Sequence, residues 1–143
     1  MSLGKRVLTE SLTMTSLNIS CRQGDTLSVT ISALGDISSR TNLYLTVKRS
    51  ILDLDSESLI QISENDGLLY FQRAQVSDAS QGDITVDDEA AGDLTLTLNS
   101  ALTALFTPRK MSNYICNIKM ITATAVQTLA TGAFTITPEV TIG

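Results

Sequence analysis

Residues 94–98 read Leu-Thr-Leu-Thr-Leu, and this strict alternation of apolar and polar side chains decides the fold class. Successive side chains of a β-strand point to opposite faces of a sheet, so such a run buries its leucines on one face and exposes its threonines on the other. The same period of two recurs in residues 17–21, 27–33, 43–47, 114–120 and 134–136. The sequence therefore predicts an all-β protein.

Turn signals separate the alternating runs at short intervals. Asn65-Asp66-Gly67 and Thr131-Gly132 each lie between two apolar runs, and both predict hairpins. In residues 100–106, Ala, Leu and Phe have helical spacing behind an Asn99 or Ser100 cap, which predicts one short helical turn. We therefore predict an Ig-like antiparallel β-sandwich of about eight to nine short strands.

The domain organisation follows from the same pattern. The alternating runs begin at residue 17 and continue towards the C-terminus without a break in composition, which predicts a single β-sandwich domain over residues 17–143. Residues 1–16 lack a clear apolar period. We expect them to form a leader or arm that becomes ordered only against a partner.

The composition of the 143-residue chain excludes most common catalytic sites. The chain has no histidine and no tryptophan, and it has only two cysteines. A Ser-His-Asp or Cys-His catalytic unit is therefore impossible, as is a zinc site that needs His or four Cys. Phosphate-binding loops of the GxGxxG or GxxxxGK type are also missing from the sequence. We predict no catalytic residues and no cofactor.

The charge pattern bears on the partners. Ten Lys and Arg against fifteen Asp and Glu give a net charge of −5. The basic residues are scattered and include the pairs Lys5-Arg6, Lys48-Arg49 and Arg109-Lys110, whereas phosphate contacts need clustered cations. We predict neither a nucleic-acid nor a membrane partner. No apolar run follows Lys5-Arg6, so a signal peptide is not expected and the protein is expected to be made in a cytoplasm.

Two acidic clusters are candidates for chemistry. Asp53, Asp55 and Glu57 offer alternate carboxylates that could bind calcium, but the sixth position of an EF-hand loop starting at Asp53 is Ser58 rather than glycine. A solvated loop is the favoured interpretation, and no metal site is predicted.

The second cluster is Asp87-Asp88-Glu89. Paired carboxylates could act as the acid and nucleophile of a glycosidase if they were held at the right separation. The favoured interpretation is a charged loop that keeps strand edges soluble. An Asp/Glu hydrolase would require Asp53, Asp55, Asp87 and Asp88 to converge in a pocket.

The cysteines and tyrosines each leave alternatives open. Cys21 and Cys116 both lie on predicted apolar faces, where they could form a disulfide or remain buried thiols, and buried thiols are commoner in proteins made in a cytoplasm. Core packing is the better assignment for the phenylalanines. One of Tyr44, Tyr70 and Tyr114 is a candidate interface residue.

The order of the motifs carries a resemblance to a known family. The motifs are Gln23-Gly24-Asp25-Thr26, residues 43–49, Gly82-Asp83-Ile84, the 94–98 strand, residues 113–118 and the closing segment 126–141. In this order they resemble the small β-sandwich domains of tailed-phage and prophage virion proteins, such as the N-terminal domain of upper baseplate proteins and related tail or fibre adaptors. The resemblance covers roughly residues 17–143.

The resemblance implies a non-enzymatic structural or adaptor component of a phage or prophage tail, in the baseplate or fibre region. Its partners would be other virion proteins and further copies of itself. The protein would be made in the bacterial cytoplasm and would reside in the virion after assembly. The alternative is a carbohydrate- or receptor-binding β-sandwich of the adhesin or fibre-head type.

Overall fold

The computed structural model describes residues 15–50, 52–78, 80–106 and 112–138. Its strands are β1 (Thr15–Arg22), β2 (Leu27–Ile31), β3 (Asn42–Lys48), β4 (Ile60–Ser63), β5 (Gly67–Phe71), β6 (Ala74–Asp78), β7 (Gly82–Asp88), β8 (Asp93–Leu98), β9 (Ser112–Ile121) and β10 (Val126–Thr137). A 3-10 turn spans Asp55–Glu57, and the helix α1 spans Ser100–Thr103. Most of the predicted arm, residues 1–14, lies outside the described residues, and β1 begins at Thr15.

The strands form two sheets. The large sheet has seven strands in the order β1-β10-β9-β3-β4-β5-β6, and the small sheet has three in the order β2-β8-β7. The run β10-β9-β3-β4-β5 opposite β2-β8-β7 matches the arrangement of a variable-type immunoglobulin domain, which confirms the predicted Ig-like sandwich. The described residues contain ten strands rather than eight to nine, and β6 and β7 do not coincide with any of the alternating runs in the sequence.

One strand pair departs from the predicted antiparallel arrangement. β1 runs parallel to β10, with Leu17 opposite Gly132 and Cys21 opposite Ile136. The alternation of side chains is the same in parallel and antiparallel strands, and no hairpin joins two strands at opposite ends of the chain. The sequence pattern therefore predicts that β1 is a strand but leaves its direction open.

The inner faces of both sheets consist of the apolar residues that the alternating pattern predicts to be buried. Leu94, Leu96 and Leu98 of β8 are each about 1% exposed, and Phe134 of β10 is fully buried. They pack in one core with Leu45 of β3 and its neighbours. Removing these side chains from water is the main favourable term that holds the two layers together.

The predicted hairpin at Asn65-Asp66-Gly67 is confirmed, whereas the one at Thr131-Gly132 is wrong. β4 and β5 pair antiparallel around the first turn, and Gly67 has the positive φ of 75° that favours glycine. Thr131 and Gly132 instead lie inside the continuous strand β10. A Cβ atom at Gly132 would overlap the carbonyl oxygen of Leu17, so this glycine permits the close approach of β1 rather than a turn.

The predicted helical turn is confirmed as α1. The Asn99 side chain accepts a hydrogen bond from the backbone N–H of Ala101, so Asn99 is the cap. Leu102 and Phe106 are buried, and the Phe106 ring lies 5.2 Å from that of Phe71, centroid to centroid. The helix therefore closes one end of the sandwich with apolar side chains.

The loop between β2 and β3 is held to both layers by Arg40. Its guanidinium makes two hydrogen bonds of 2.7 and 2.8 Å to the carboxylate of Glu64, in the turn between β4 and β5. It also lies 3.8 Å from a carboxylate oxygen of Glu89, in the turn between β7 and β8. The hydrogen bonding of its guanidinium to the Glu64 carboxylate raises the pKa of Arg40 further above its usual value. Arg40 therefore connects the large sheet to the small one.

Candidate functional site

The outer face of the large sheet carries an ordered set of polar and aromatic side chains. Strand pairing places Gln61 of β4, Thr46 of β3, Asn117 of β9 and Thr131 of β10 side by side across four strands. A neighbouring row contains Ser63, Tyr44, Lys119 and Thr128. These residues alternate with core residues along their strands, so the packing of the core fixes their outward orientation.

The rows form the floor of a concavity. It has a volume of about 510 Å³, and Tyr44, Tyr70, Lys48, Asn117 and Lys119 are among its lining residues. A second hollow of about 330 Å³ adjoins it and shares Lys48, Asn117 and Lys119. We call the surface around the two hollows the concave face and define it by the lining residues Tyr44, Thr46, Lys48, Asp55, Gln61, Tyr70, Ile115, Asn117, Lys119, Ile121, Val126, Thr128 and Thr131.

An ion pair forms one wall of the concave face. The Lys48 ammonium group lies 2.8 Å from a carboxylate oxygen of Asp55 and donates a 2.9 Å hydrogen bond to the carbonyl oxygen of Asp53. The hydrogen bond from Lys48 lowers the pKa of Asp55, against a rise from partial burial, with smaller lowering effects from Gln61 and Lys119. Asp55 is therefore an anion at neutral pH, and it offsets one of the two lysine charges on this face.

Asn117 differs from Gln61 and Thr46, its neighbours in the same row, in its hydrogen bonding. Gln61 donates a 3.2 Å hydrogen bond through its amide nitrogen to the Thr46 hydroxyl. The side-chain oxygen of Asn117 is buried and has no hydrogen-bond partner among the described residues. A buried acceptor without a donor costs about 1–3 kcal/mol.

Two apolar side chains lie on the same face. Ile115 of β9 is 39% exposed and Val126 of β10 is 64% exposed, whereas residues of this type are usually buried. Leu52 and Leu54, in the loop that leads to Asp55, are also exposed. Tyrosine is among the residue types enriched at protein–protein contacts, whereas lysine is depleted there.

The three calcium candidates lie near one another in the chain but are bound by different partners. Asp53 accepts a hydrogen bond from the backbone N–H of Ser50 at 3.3 Å, and Asp55 is paired with Lys48. One Glu57 oxygen accepts from the backbone N–H of Leu54 and the other lies 3.2 Å from Arg73. Within the described ranges, no three Asp, Glu, His or Cys side chains are arranged to hold a metal ion.

The second acidic cluster lies on the small sheet. Asp87 accepts a 2.6 Å hydrogen bond from the Thr95 hydroxyl, and Asp88 accepts from the backbone N–H groups of Ala90 and Ala91. Both side chains are exposed. Their hydrogen bonds stay within the small sheet and the turn between β7 and β8. Asp87 and Asp88 therefore do not converge with Asp53 and Asp55, which was the arrangement that the hydrolase hypothesis required.

The cysteines are free and buried in the large sheet. Cys21 lies opposite residue 136 of β10 and Cys116 opposite residue 132, so the two are well separated along strands that rise about 3.3 Å per residue. Burial raises the pKa of each thiol to about 11, and the Asp25 charge adds to the effect at Cys21. Both thiols are therefore protonated and unreactive at neutral pH.

Sequence reasoning missed the central residues of the concave face. Tyr44 is one of the three candidate interface tyrosines, but the sequence pattern places Lys48 only in a scattered basic pair and gives Asn117 and Lys119 no role. The available signal is the type of these polar residues, since β2, for example, carries Ser28 and Thr30 at its outer positions. Their proximity depends on the pairing of β3 with β9, which distance in sequence conceals.

No known family model and no curated protein matches the chain. Among solved structures, the chain is similar to the NK cell receptor NKp44, with 15% identity and a TM-score of 0.49, over 87% of this chain and 99% of that one. It is also similar to the periplasmic chaperone SfaE, with 12% identity and a TM-score of 0.45, over 90% of this chain and 57% of that one. These likenesses concern the fold alone. In the part of the chain that the structure describes, no helix has the length and apolar character needed to cross a membrane.

Proposed function

We propose that this protein is a non-enzymatic structural or adaptor component of a phage or prophage tail, in the baseplate or fibre region, where it mediates subunit assembly. The observation that supports the proposal is the open concave face, where the exposed Ile115 and Val126 supply apolar area for a protein contact beside the exposed Lys119.

The virion assignment is supported by the order of motifs along the sequence. The resemblance to phage tail and baseplate domains spans roughly residues 17–143 and agrees with an all-β sandwich. In this proposal the partners are other tail proteins and further copies of the chain, rather than nucleic acid or a membrane. The protein is made in the bacterial cytoplasm and incorporated into the virion.

The proposal is tested by measuring the association of the full chain. Sedimentation velocity over a wide concentration range is expected to give concentration-dependent oligomers, and the Lys119→Glu variant is expected to shift them towards monomer. Arg22→Glu is the matched control, because it makes the same charge change on β1, outside the concave face. A chain that stays monomeric and binds none of the proteins encoded beside it would contradict the proposal.

Carbohydrate or receptor recognition is the second candidate, and one observation favours it. Tyr44 and Tyr70 line the same concavity, where they provide aromatic surface next to amide and lysine groups that can bind hydroxyls. Titration of glycans against the full chain distinguishes the two functions. Saturable binding that Tyr70→Ala abolishes would favour recognition, whereas oligomers without glycan binding favour assembly.

A further inference from the structure

The outer face of the small sheet has a uniform chemistry. Its outward residues on β2, β7 and β8 are Ser28, Thr30, Asp83, Thr85, Asp87, Asp93, Thr95 and Thr97. Every one is a hydroxyl or a carboxylate residue, and the three strands contain no Lys or Arg. We call this surface the acidic face.

The polar groups of the acidic face support one another. The Thr95 hydroxyl donates to Asp87 at 2.6 Å, and the Thr85 hydroxyl donates to Asp83 at 3.1 Å. These bonds orient the carboxylates on a sheet whose backbone is fixed by the buried leucines of β8. The face is therefore a preorganised array that offers negative charge and hydroxyl groups to a partner.

The concave face carries the complementary charge. Lys119 is exposed there and positive, while Asp55 already offsets the charge of Lys48. A carboxylate of the acidic face opposite Lys119 would pair with its ammonium group.

We propose that the acidic face of one copy of this chain docks on the concave face of the next copy. The inference rests on the proposed assembly function and names the partner of that site. Because the two contacting surfaces are different, the contact is heterologous, and repeated contacts generate a ring or an open stack.

The size of the acidic face sets the expected strength of the contact. Three strands about 4.8 Å apart and five to seven residues long make a patch of roughly 15 by 20 Å. This is smaller than the roughly 800 Å² per partner of a standard stable interface, so each contact is weak. Association is therefore expected at protein concentrations of about 0.1–1 mM, and closure of a ring would strengthen it.

The proposal is tested with two charge reversals in the full chain. Lys119→Glu makes the concave face acidic, and Asp87→Lys makes the acidic face basic. In a head-to-tail contact, each variant alone brings like charges together, and its self-association is expected to weaken by about tenfold or more. In an equimolar mixture, the reversed face of each variant meets the complementary reversed face of the other, so association is expected to recover.

Two controls accompany the measurement. Arg22→Glu and Asp66→Lys make the same charge changes on β1 and in the β4–β5 turn, outside both faces, and they are expected to associate as the unmodified chain does. Thermal unfolding of all four variants shows whether each is folded. Sedimentation velocity of each variant, and of the mixture, gives the association.

The outcomes separate this inference from the proposed function. Recovery in the mixture, with loss in each variant alone, supports the head-to-tail contact. Loss with Lys119→Glu but unchanged association with Asp87→Lys overturns it and leaves an assembly contact with a different surface. Failure of the unmodified chain to associate at 1 mM or so overturns the self-contact, while a tail protein that binds it through Lys119 would still uphold the assembly function.

Discussion

The two sheets have similar inner faces and different outer faces. Inside, both present alternating aliphatic side chains to one shared core. Outside, the small sheet presents only hydroxyl and carboxylate groups on its strands, whereas the large sheet presents lysines, tyrosines, amides and exposed aliphatic residues. The core constrains every second residue of a strand, and the outer residues are free to differ.

The two outer faces also differ in how their polar groups are satisfied. On the small sheet, Asp83 and Asp87 accept hydrogen bonds from neighbouring threonines. On the large sheet, the buried oxygen of Asn117 accepts none from the described residues. A buried acceptor without a donor costs free energy in the isolated chain, whereas the hydrogen-bonded carboxylates carry no such cost.

The largest expected effect concerns the pairing of β1, the edge strand of the large sheet, with β10. We expect Gly132→Ala to destabilise the protein by at least about 3 kcal/mol, because the new Cβ would overlap the carbonyl oxygen of Leu17. Relieving the overlap would require the backbones of two hydrogen-bonded strands to move apart. Chemical denaturation measures the loss.

Gly35→Ala is the control for this substitution. Gly35 has a positive φ of 97° but nothing within 4 Å of an added Cβ, so alanine there is expected to cost only about 1 kcal/mol of backbone strain. Equal losses at the two glycines would contradict the role of Gly132 in admitting β1.

The second prediction compares the two faces of β8. Leu96 lies in the core at 1% exposure, and Leu96→Ala is expected to lower the free energy of unfolding by about 2–4 kcal/mol through lost burial and a cavity. Thr97, on the outer face, is the matched position, where alanine is expected to cost about 0.5–1 kcal/mol. A similar cost at both positions would show that the outer face also carries packing energy.

The third prediction concerns the contact between the layers. Arg40→Met keeps the length of the side chain but removes the paired hydrogen bonds to Glu64 and the contact with Glu89. Because both partners of the bidentate pair are less than a fifth exposed, we expect a loss of about 1–3 kcal/mol. Arg40→Lys should retain part of this stability. If Arg40→Met unfolds as the unmodified chain does, the pair contributes nothing measurable.

Much of the fold could be predicted from the sequence because it rests on local periodicity. The alternation at residues 94–98 correctly predicted β8 and its buried leucines, and of the two predicted cap candidates, Asn99 and Ser100, the cap is Asn99. Gly132 was wrongly assigned to a turn. A glycine is needed there because Leu17 approaches closely, and Leu17 is far away in sequence and lies beside Gly132 only in the folded sheet. The direction of β1 was missed for the same reason.

The candidate site could be predicted less well than the fold. Alternation places Tyr44, Asn117 and Lys119 on outer positions, but it does not say which strands are neighbours. Strand order decides which outer residues form one surface, and strand order depends on long-range pairing. The residue types alone carry a weaker signal, namely lysine, tyrosine and asparagine where β2, for example, has serine and threonine.

The smallest expected effect bears most directly on the difference between the outer faces. Asn117→Val removes the unpartnered oxygen and adds a residue that favours strands, so we expect the isolated chain to gain up to about 1 kcal/mol in stability. Thr95→Val is the matched control on the small sheet, where the hydroxyl already donates to Asp87 and its loss should be neutral or slightly destabilising. Chemical denaturation of both variants measures the two changes. If Asn117→Val instead destabilises the protein, the oxygen has a structural role and the two outer faces do not differ in this respect.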